Sequence, residues 1–317
     1  MTTAQSATAS RDHQPGMSLL LLQPRFWGAW LLLGILRLFA NLPRRLTLTF
    51  GAAIGQLFYW TNEKRRRIAK INLDLCFPEC SESERMQMLI SHFRRYGQSV
   101  ADMGLIQWGS VEKLDKYVRV VGLEAFLDLI KQGKNIILIT PHSVGMDMGG
   151  VTISRYSPAI SMMNSLRNPV LNRYVHQGRS RFGATVVLRE HGIRPLVRGI
   201  RSQIACYYIP DQDFGDKHSV LVPFFGIPTA TITALGRLAS MTNAVVIPCF
   251  TRLLENSGQY EVALRAPLPD FPSGDRITDA ATMNRALEAG IREAPEQYLW
   301  TLKWFKTRPN GEPSPYD

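Results

Sequence analysis

His142 and Asp147 stand five positions apart in Thr140-Pro141-His142-Ser143-Val144-Gly145-Met146-Asp147, just past the apolar run Asn135-Ile136-Ile137-Leu138-Ile139. An imidazole and a carboxylate this close suit a general base and the acid that orients it. The apolar run predicts a buried strand, which puts His142 at a strand's carboxyl end, where open α/β sheets collect their ligands. A spacing of five does not stack two side chains on one helix face, so the pair requires the chain to turn between Ser143 and Gly145, a turn that Gly145 permits. Zinc pairs on helices use two histidines four apart, and no third His, Cys or Glu lies near this one, so no metal is expected. A histidine capping the next helix, with an incidental surface Asp, is the competing reading of so short a motif, and the neighbouring residues must decide.

The elements that would position the pair alternate. Strands are predicted at 117–121, 135–140, 159–163, 184–188, 204–209, 244–251 and 260–264, with helices near 123–132, 168–181, 193–201, 229–241 and 279–294. Ser81-Glu82-Ser83-Glu84 opens a further helix running towards Trp108. This alternation predicts an α/β fold, a mostly parallel sheet flanked by helices. A chain of 317 residues, 45% hydrophobic, can bury the core that such a sheet needs. Residues 1–16 are polar and expected to be disordered, 17–62 to form a membrane-anchoring helical segment, and 63–317 to form one α/β domain.

The formal net charge of +11 is concentrated near the amino terminus. Between Arg37 and Lys70, eight basic residues (Arg37, Arg44, Arg45, Lys64, Arg65, Arg66, Arg67 and Lys70) face a single acid, Glu63. Zinc-finger spacing and the aromatic signature of an RNA-binding sheet are missing, so nucleic acid is not the expected partner. Anionic lipid headgroups fit better, because two apolar stretches sit among these charges. The first, 26–42, is at the short end of what spans a bilayer of about 30 Å, and could span it or lie in its interface. The second, 46–60, ends in Phe58-Tyr59-Trp60, aromatic residues suited to the headgroup level. A cleaved signal peptide would need a shorter polar leader and a small-x-small site; two core helices of a soluble protein are the other alternative. The positive-inside rule puts the basic cluster and the body of the protein on the cytoplasmic side. Cys76, Cys80, Cys206 and Cys249 include no C-x-x-C and predict free thiols in a reducing compartment, the last two as small hydrophobes in strands.

Further blocks follow the histidine motif in a fixed order: Arg181-Phe182-Gly183, Ile209-Pro210-Asp211-Gln212-Asp213-Phe214-Gly215, Val222-Pro223-Phe224-Phe225-Gly226, Pro295-Glu296-Gln297-Tyr298-Leu299-Trp300 and Phe305-Lys306-Thr307-Arg308-Pro309. With Lys64-Arg65-Arg66-Arg67-Ile68-Ala69-Lys70-Ile71-Asn72-Leu73 and Leu75-Cys76-Phe77-Pro78-Glu79 upstream, the chain resembles, over roughly 25–310, the late acyltransferases of lipid A biosynthesis. These are the lauroyl and myristoyl transferases within the H-x-x-x-x-D/E glycerolipid acyltransferase superfamily. The resemblance implies a glycerolipid acyltransferase-like fold at the bacterial inner membrane, acyl carrier protein as acyl donor, a glycolipid acceptor and no cofactor. Asp147 is a departure, because the lipid A members usually carry Glu there, and it keeps a glycerolipid or an ornithine lipid open as acceptor.

The same resemblance implies that an arginine near Gly178-Arg179-Ser180-Arg181 is needed for catalysis, and leaves Arg179 and Arg181 as equal candidates. Either guanidinium could offer paired donors to an oxyanion. Asp211 and Asp213 end a strand-like run and could both reach the mouth that holds His142. The resemblance favours Asp211 as catalytic and leaves Asp213 to substrate. As D-x-D, the two aspartates could instead hold a metal and a nucleotide sugar. Phe224 and Phe225 read equally as a wall for an acyl chain or as core, and Thr229 to Thr233 as the start of a helix able to receive an anion. The expected reaction is attack by a sugar-borne hydroxyl on a thioester, with His142 taking the proton, Asp147 fixing its tautomer, and no acyl-enzyme. Such a reaction needs a base and an oxyanion clamp and no divalent ion. Activity on an acyl carrier protein thioester should therefore be unchanged by EDTA; loss of the rate on chelation and its return with manganese or magnesium would assign the aspartates to a metal.

Overall fold

The computed structural model describes residues 19–217 and 219–317; the segment 1–16 expected to be disordered lies outside them. The first third or so of the chain is helical: α1 (Trp27–Phe39), α2 (Arg44–Thr61), α3 (Glu63–Cys76), α4 (Glu82–Trp108) and α5 (Val111–Tyr117). Alternation then begins with β1 (Val118–Val121), α6 (Leu123–Lys131), β2 (Asn135–Ile139), α7 (Met146–Tyr156), β3 (Ala159–Met163), α8 (Pro169–Ser180), β4 (Thr185–Leu188), α9 (Arg194–Arg201) and β5 (Ala205–Tyr208). A hairpin of β6 (Ser219–Phe224) and β7 (Ile227–Ile232) follows, then α10 (Ala234–Thr242), β8 (Ala244–Leu253), β9 (Tyr260–Leu264) and α11 (Arg276–Arg292).

Seven strands form one sheet in the order β1-β9-β8-β2-β5-β3-β4, with every pairing parallel except the β8–β9 hairpin. They are the seven strands that the sequence predicts, shifted by at most two residues at their ends. Strand β2 is buried on both faces: Ile137 and Ile139 face one core cluster, Ile136 and Leu138 another. A strand covered on both sides reads as an unbroken apolar run rather than an alternation. Cys206 packs in the first of these clusters and Cys249 in the second, both as free thiols, and burial pushes both thiols up to about 12.

The hairpin β6–β7 is absent from the sequence-based expectation, and it corrects the reading of Thr229 to Thr233. Residues 229–232 are strand, and the helix begins at Ala234. Threonine and isoleucine in Ile227-Pro228-Thr229-Ala230-Thr231-Ile232 favour the pleated backbone. Phe225 and Gly226 both take the left-handed conformation (φ +52° and +75°) needed by a tight hairpin turn.

Helix α4 starts on the Ser81 and Glu84 capping box that the sequence signals, and α2 lies against it at close range. A Cβ on Gly97 would stand 2.1 Å from the Gly51 carbonyl oxygen and 2.4 Å from the Gly55 nitrogen, so only glycines allow this approach. An ion pair buried at the same junction fixes its register. Arg44 of α2 binds both carboxylate oxygens of Asp102 on α4, its Nε donates to the Gly258 carbonyl oxygen at 2.8 Å, and the Tyr260 hydroxyl donates to Asp102 at 2.8 Å. The helices that the sequence assigns to an anchor are thus packed into the body of the protein along one face. No helix among the described residues is long and apolar enough to cross a membrane.

Candidate active site

Strands β2 and β5 are parallel neighbours in which Ile139 is paired with Tyr208. His142 lies three residues past Ile139 and Asp211 three residues past Tyr208, so the sheet's register delivers both to one point at its carboxyl edge. The His142 Nδ1 lies 2.5 Å from Asp211 Oδ1, and the His142 backbone N–H donates to Asp211 Oδ2 at 2.7 Å. The Asp211 side chain is almost wholly buried (2% exposed), whereas that of His142 keeps 20% of its surface. Since the carboxylate can only accept, Nδ1 carries the hydrogen, and Nε2 is left with its lone pair. His142 lines a cavity of about 1230 Å³ that Asp211 does not line, which puts Nε2 on the open side. Burial would lower the proton affinity of His142; the Asp211 carboxylate outweighs it and raises the imidazole above its usual 6.5.

Asp147 has a different partner from the one expected. The chain turns at Ser143 to Gly145 and α7 begins at Met146, which carries the Asp147 carboxylate to Arg179, whose Nε donates to Asp147 Oδ1 at 2.6 Å. Asp147 sits in the first turn of α7 and Arg179 in the last turn of α8, so each charge also meets the favourable end of its own helix. The acid that fixes the tautomer of His142 in this structure is Asp211, and Asp147 instead fixes Arg179. Sequence proximity suggested the first pairing, but side chains meet across strands and helices rather than along the chain. Gly145 does not need a left-handed turn (φ −90°); it is small because a Cβ there would approach the Thr251 carbonyl oxygen to 2.9 Å.

The other candidates separate cleanly. Arg179 lines the cavity. Arg181 points away and donates to the Ile106 and Gly109 carbonyl oxygens at 2.7 and 2.5 Å, closing the end of α4. Asp213 is buried and accepts from the Gly215 N–H at 2.9 Å and from the backbone and hydroxyl of Thr307 at 2.8 Å each, tying its loop to the carboxyl-terminal tail. Asp211 and Asp213 therefore diverge, which leaves D-x-D no shared face for a metal. Among the described residues no group of three or more His, Cys, Asp or Glu side chains is placed to hold one. Phe224 and Phe225 belong to the core, packed with Phe77, Tyr298 and Trp300. Neither lines the cavity.

Two other parts of the site carry no local signal in the sequence. The cavity's apolar side is built by Met162, Met163, Leu166, Val175 and Ile193, and its exposed rim by Arg189, Lys217, Arg237 and Arg276. Behind His142 runs the tail: Leu299 N–H donates to the His142 carbonyl oxygen and Val144 N–H to that of Gln297, both at 2.9 Å. Trp304 faces the imidazole with ring centres 5.8 Å apart. The tail was visible only as one of the ordered blocks behind the family resemblance.

Residues 14–307 match the family described as bacterial lipid A biosynthesis acyltransferase. The chain is 35% identical over 306 residues to a lipid A biosynthesis acyltransferase of Haemophilus influenzae, covering 96% of each chain. It is 32% identical to the lipid A biosynthesis lauroyltransferase of Escherichia coli, over 95% of this chain and 99% of that one. To the lipid A biosynthesis myristoyltransferase of Escherichia coli it is 34% identical, over 92% and 91%.

The two arginines should behave oppositely. Arg179→Gln should cut turnover in an acyl-transfer assay by about a hundredfold or more, the scale of a lost oxyanion donor, with the melting temperature retained. Arg181→Gln should lower stability by about 1–2 kcal/mol through two lost carbonyl partners and leave turnover of the folded protein near its original value. Equal effects of the two on turnover would contradict this division.

Proposed function

We propose a mechanism for a chain that belongs to the bacterial lipid A biosynthesis acyltransferase family and so transfers an acyl chain to a lipid A precursor: direct attack of an acceptor hydroxyl on an acyl thioester, with His142 as the base. The observation that carries it is the His142–Asp211 pair, lone pair outward, at the wall of a cavity that also holds the Arg179–Asp147 pair. Nε2 of His142 takes the hydroxyl proton as the oxygen attacks the thioester carbon, and Asp211 stabilises the resulting imidazolium. The remaining guanidinium donors of Arg179, held in place by Asp147, stabilise the tetrahedral oxyanion. When the carbon–sulfur bond breaks, the proton on Nε2 goes to the departing thiolate, and the new ester leaves with the acceptor.

Acyl carrier protein is the proposed donor. Carrier proteins are acidic, and the exposed basic rim of Arg189, Lys217, Arg237 and Arg276 would speed their encounter. The apolar side of the cavity then suits the acyl chain. Roles for Asp213, Phe224 and Phe225 lie in holding the loop and the core behind this site rather than in touching substrate.

The acceptor would be met at a membrane surface. On α1, Trp27, Leu31, Ile35 and Leu38 are exposed at helical spacing, while Ala29, Leu33 and Leu36 are buried. On α2, Leu46, Phe50, Ile54, Leu57 and Trp60 are exposed, while Thr47, Gly51, Ala52 and Gly55 are buried against the body. Two helices with apolar outer faces, flanked by exposed Arg25, Arg37, Arg45 and Lys64, support a hairpin lying in the interface of an anionic bilayer. The proposed location is the inner membrane with the cavity on the cytoplasmic side.

Replacing His142 by Ala should lower turnover by about a hundredfold or more with circular dichroism unchanged. Because Asp211 raises the proton affinity of the imidazole, the acid limb of kcat/KM should fall at a pH above 6.5. The stabilisation from the pair should be complete below 6.5 and fade as pH rises through the raised value. Near-normal transfer by His142→Ala would remove it from the mechanism. Membrane binding has its own test: the protein should stay with anionic vesicles at high salt, since apolar burial is not screened, and Leu31→Ser with Phe50→Ser and Leu57→Ser should release it. Release of the unaltered chain by salt alone would make the attachment purely electrostatic.

A further inference from the structure

We infer that Tyr298 is a positioning residue of the catalytic centre, which sets the strength of the His142 base by sharing its hydroxyl hydrogen with Asp211. This rests on the reading of His142 as the base, and adds a third member that acts through the second. The Tyr298 hydroxyl donates to Asp211 Oδ2 at 3.0 Å, the same oxygen that accepts the His142 backbone N–H at 2.7 Å, while Oδ1 takes the Nδ1 hydrogen. All three donors converge on one carboxylate that is 2% exposed, so its charge is neutralised by these hydrogen bonds and not by water.

The tyrosine is held to this task by its surroundings. It is 1% exposed; its ring stacks on Trp304 with centres 4.7 Å apart and planes at 20°, and meets Trp300 edge-on at 4.8 Å. A backbone bridge joins it to Ser143, the residue after the base. Burial, with the neighbouring Asp211 charge, pushes its hydroxyl well above the usual phenol range, so it remains a neutral donor throughout the working range of pH. A buried tyrosine needs some acceptor: Tyr174 uses the Met103 carbonyl oxygen, Tyr207 that of Met146, and Tyr260 the Asp102 carboxylate at the α2–α4 junction. Of these four, Tyr298 is the one whose acceptor is the carboxylate that holds the base.

The chemistry follows from competition for the carboxylate's electrons. A hydrogen bond to the ionised form lowers the carboxylate's proton affinity, so Asp211 grips the imidazolium less tightly than it would alone. The charged groups facing His142 are Asp211 after β5, Asp147 on α7 and Arg179 on α8, and from the tail come the neutral Tyr298 and Trp304. Asp211 and Asp147 raise the imidazole, and Arg179 and burial lower it. Tyr298 weakens the largest raising influence and so keeps a larger fraction of His142 unprotonated at neutral pH.

The test is the pH dependence of kcat/KM for purified full-length enzyme in detergent. Tyr298→Phe keeps the stacked ring and removes the donor, and should move the acid limb to higher pH by about half a unit or more, with KM for the acceptor little changed. Placing 3-fluorotyrosine at 298, a stronger donor on the same ring, should move the limb to lower pH and needs no change of packing. Limbs for the fluorotyrosine protein, and for Tyr298→Phe where it folds, that coincide with the original would overturn the proposal, because a merely structural tyrosine alters stability and the yield of active enzyme without moving the limb. The base reading fails by another result, activity in His142→Ala, so the two can fall separately.

Discussion

The Asp211 carboxylate is the constraint around which the catalytic end of this molecule is arranged. Its side chain is buried, and a carboxylate in that position is stable only when hydrogen bonds replace its water. Its three donors come from two distant parts of the chain: His142 after β2, twice, and Tyr298 from the tail. Each also has a backbone anchor, through the Leu299 to His142 and Val144 to Gln297 hydrogen bonds. The tail is therefore a wall of the site. Gln297, which bonds the backbone of Leu253 through both its amide nitrogen and oxygen, extends that wall to β8. Removing any one donor would leave the others straining to satisfy the same charge.

Against that fixed pair, the second ion pair is organised differently. Arg179 and Asp147 are each about a fifth exposed and stand at the ends of α8 and α7, so their contact depends on the packing of two helices and not on strand register. The glycines of α7 let that helix lie close on the sheet: a Cβ on Gly149 would fall 2.1 Å from the Thr251 hydroxyl of β8. In the proposed mechanism the two pairs divide the labour of acyl transfer, one handling a proton and the other an oxyanion. A base must be held with one tautomer and one direction, which strands do well. An oxyanion donor must present several N–H groups over a broader arc, which a guanidinium at a helix end does well.

The sheet was legible because its strands are short, apolar and bounded by turn residues, and apolar runs alternating with helical stretches mark all seven. The β6–β7 hairpin was not, since its polar threonines and two prolines do not resemble the buried strands beside it. At the site, His142, Asp211 and the two arginines Arg179 and Arg181 stand out in the sequence as candidates, but which of their side chains meet does not. The motif suggested that Asp147 serves His142 because they are neighbours in sequence. Whether a carboxylate five residues away or 69 residues away reaches an imidazole depends on strand order, and β5 lies beside β2 only in three dimensions. The choice between Arg179 and Arg181 was hidden for a similar reason: two residues apart at the end of a helix, they point to different neighbours.

The buried Arg44 clamp has a geometric consequence. It grips α2 at its first residue, and it reaches Gly258 in the β8–β9 turn, which lies at the same end of the sheet as His142 because β8 runs parallel to β2. The outer faces of α1 and α2 are thus fixed in height and angle relative to the catalytic edge. If those faces rest in a bilayer, as proposed, the distance from lipid surface to the proposed base would become a built-in dimension of the protein. An acceptor whose hydroxyl sits at a set depth in its own headgroup would be measured against that dimension, so the choice of hydroxyl would be made partly by where the enzyme floats.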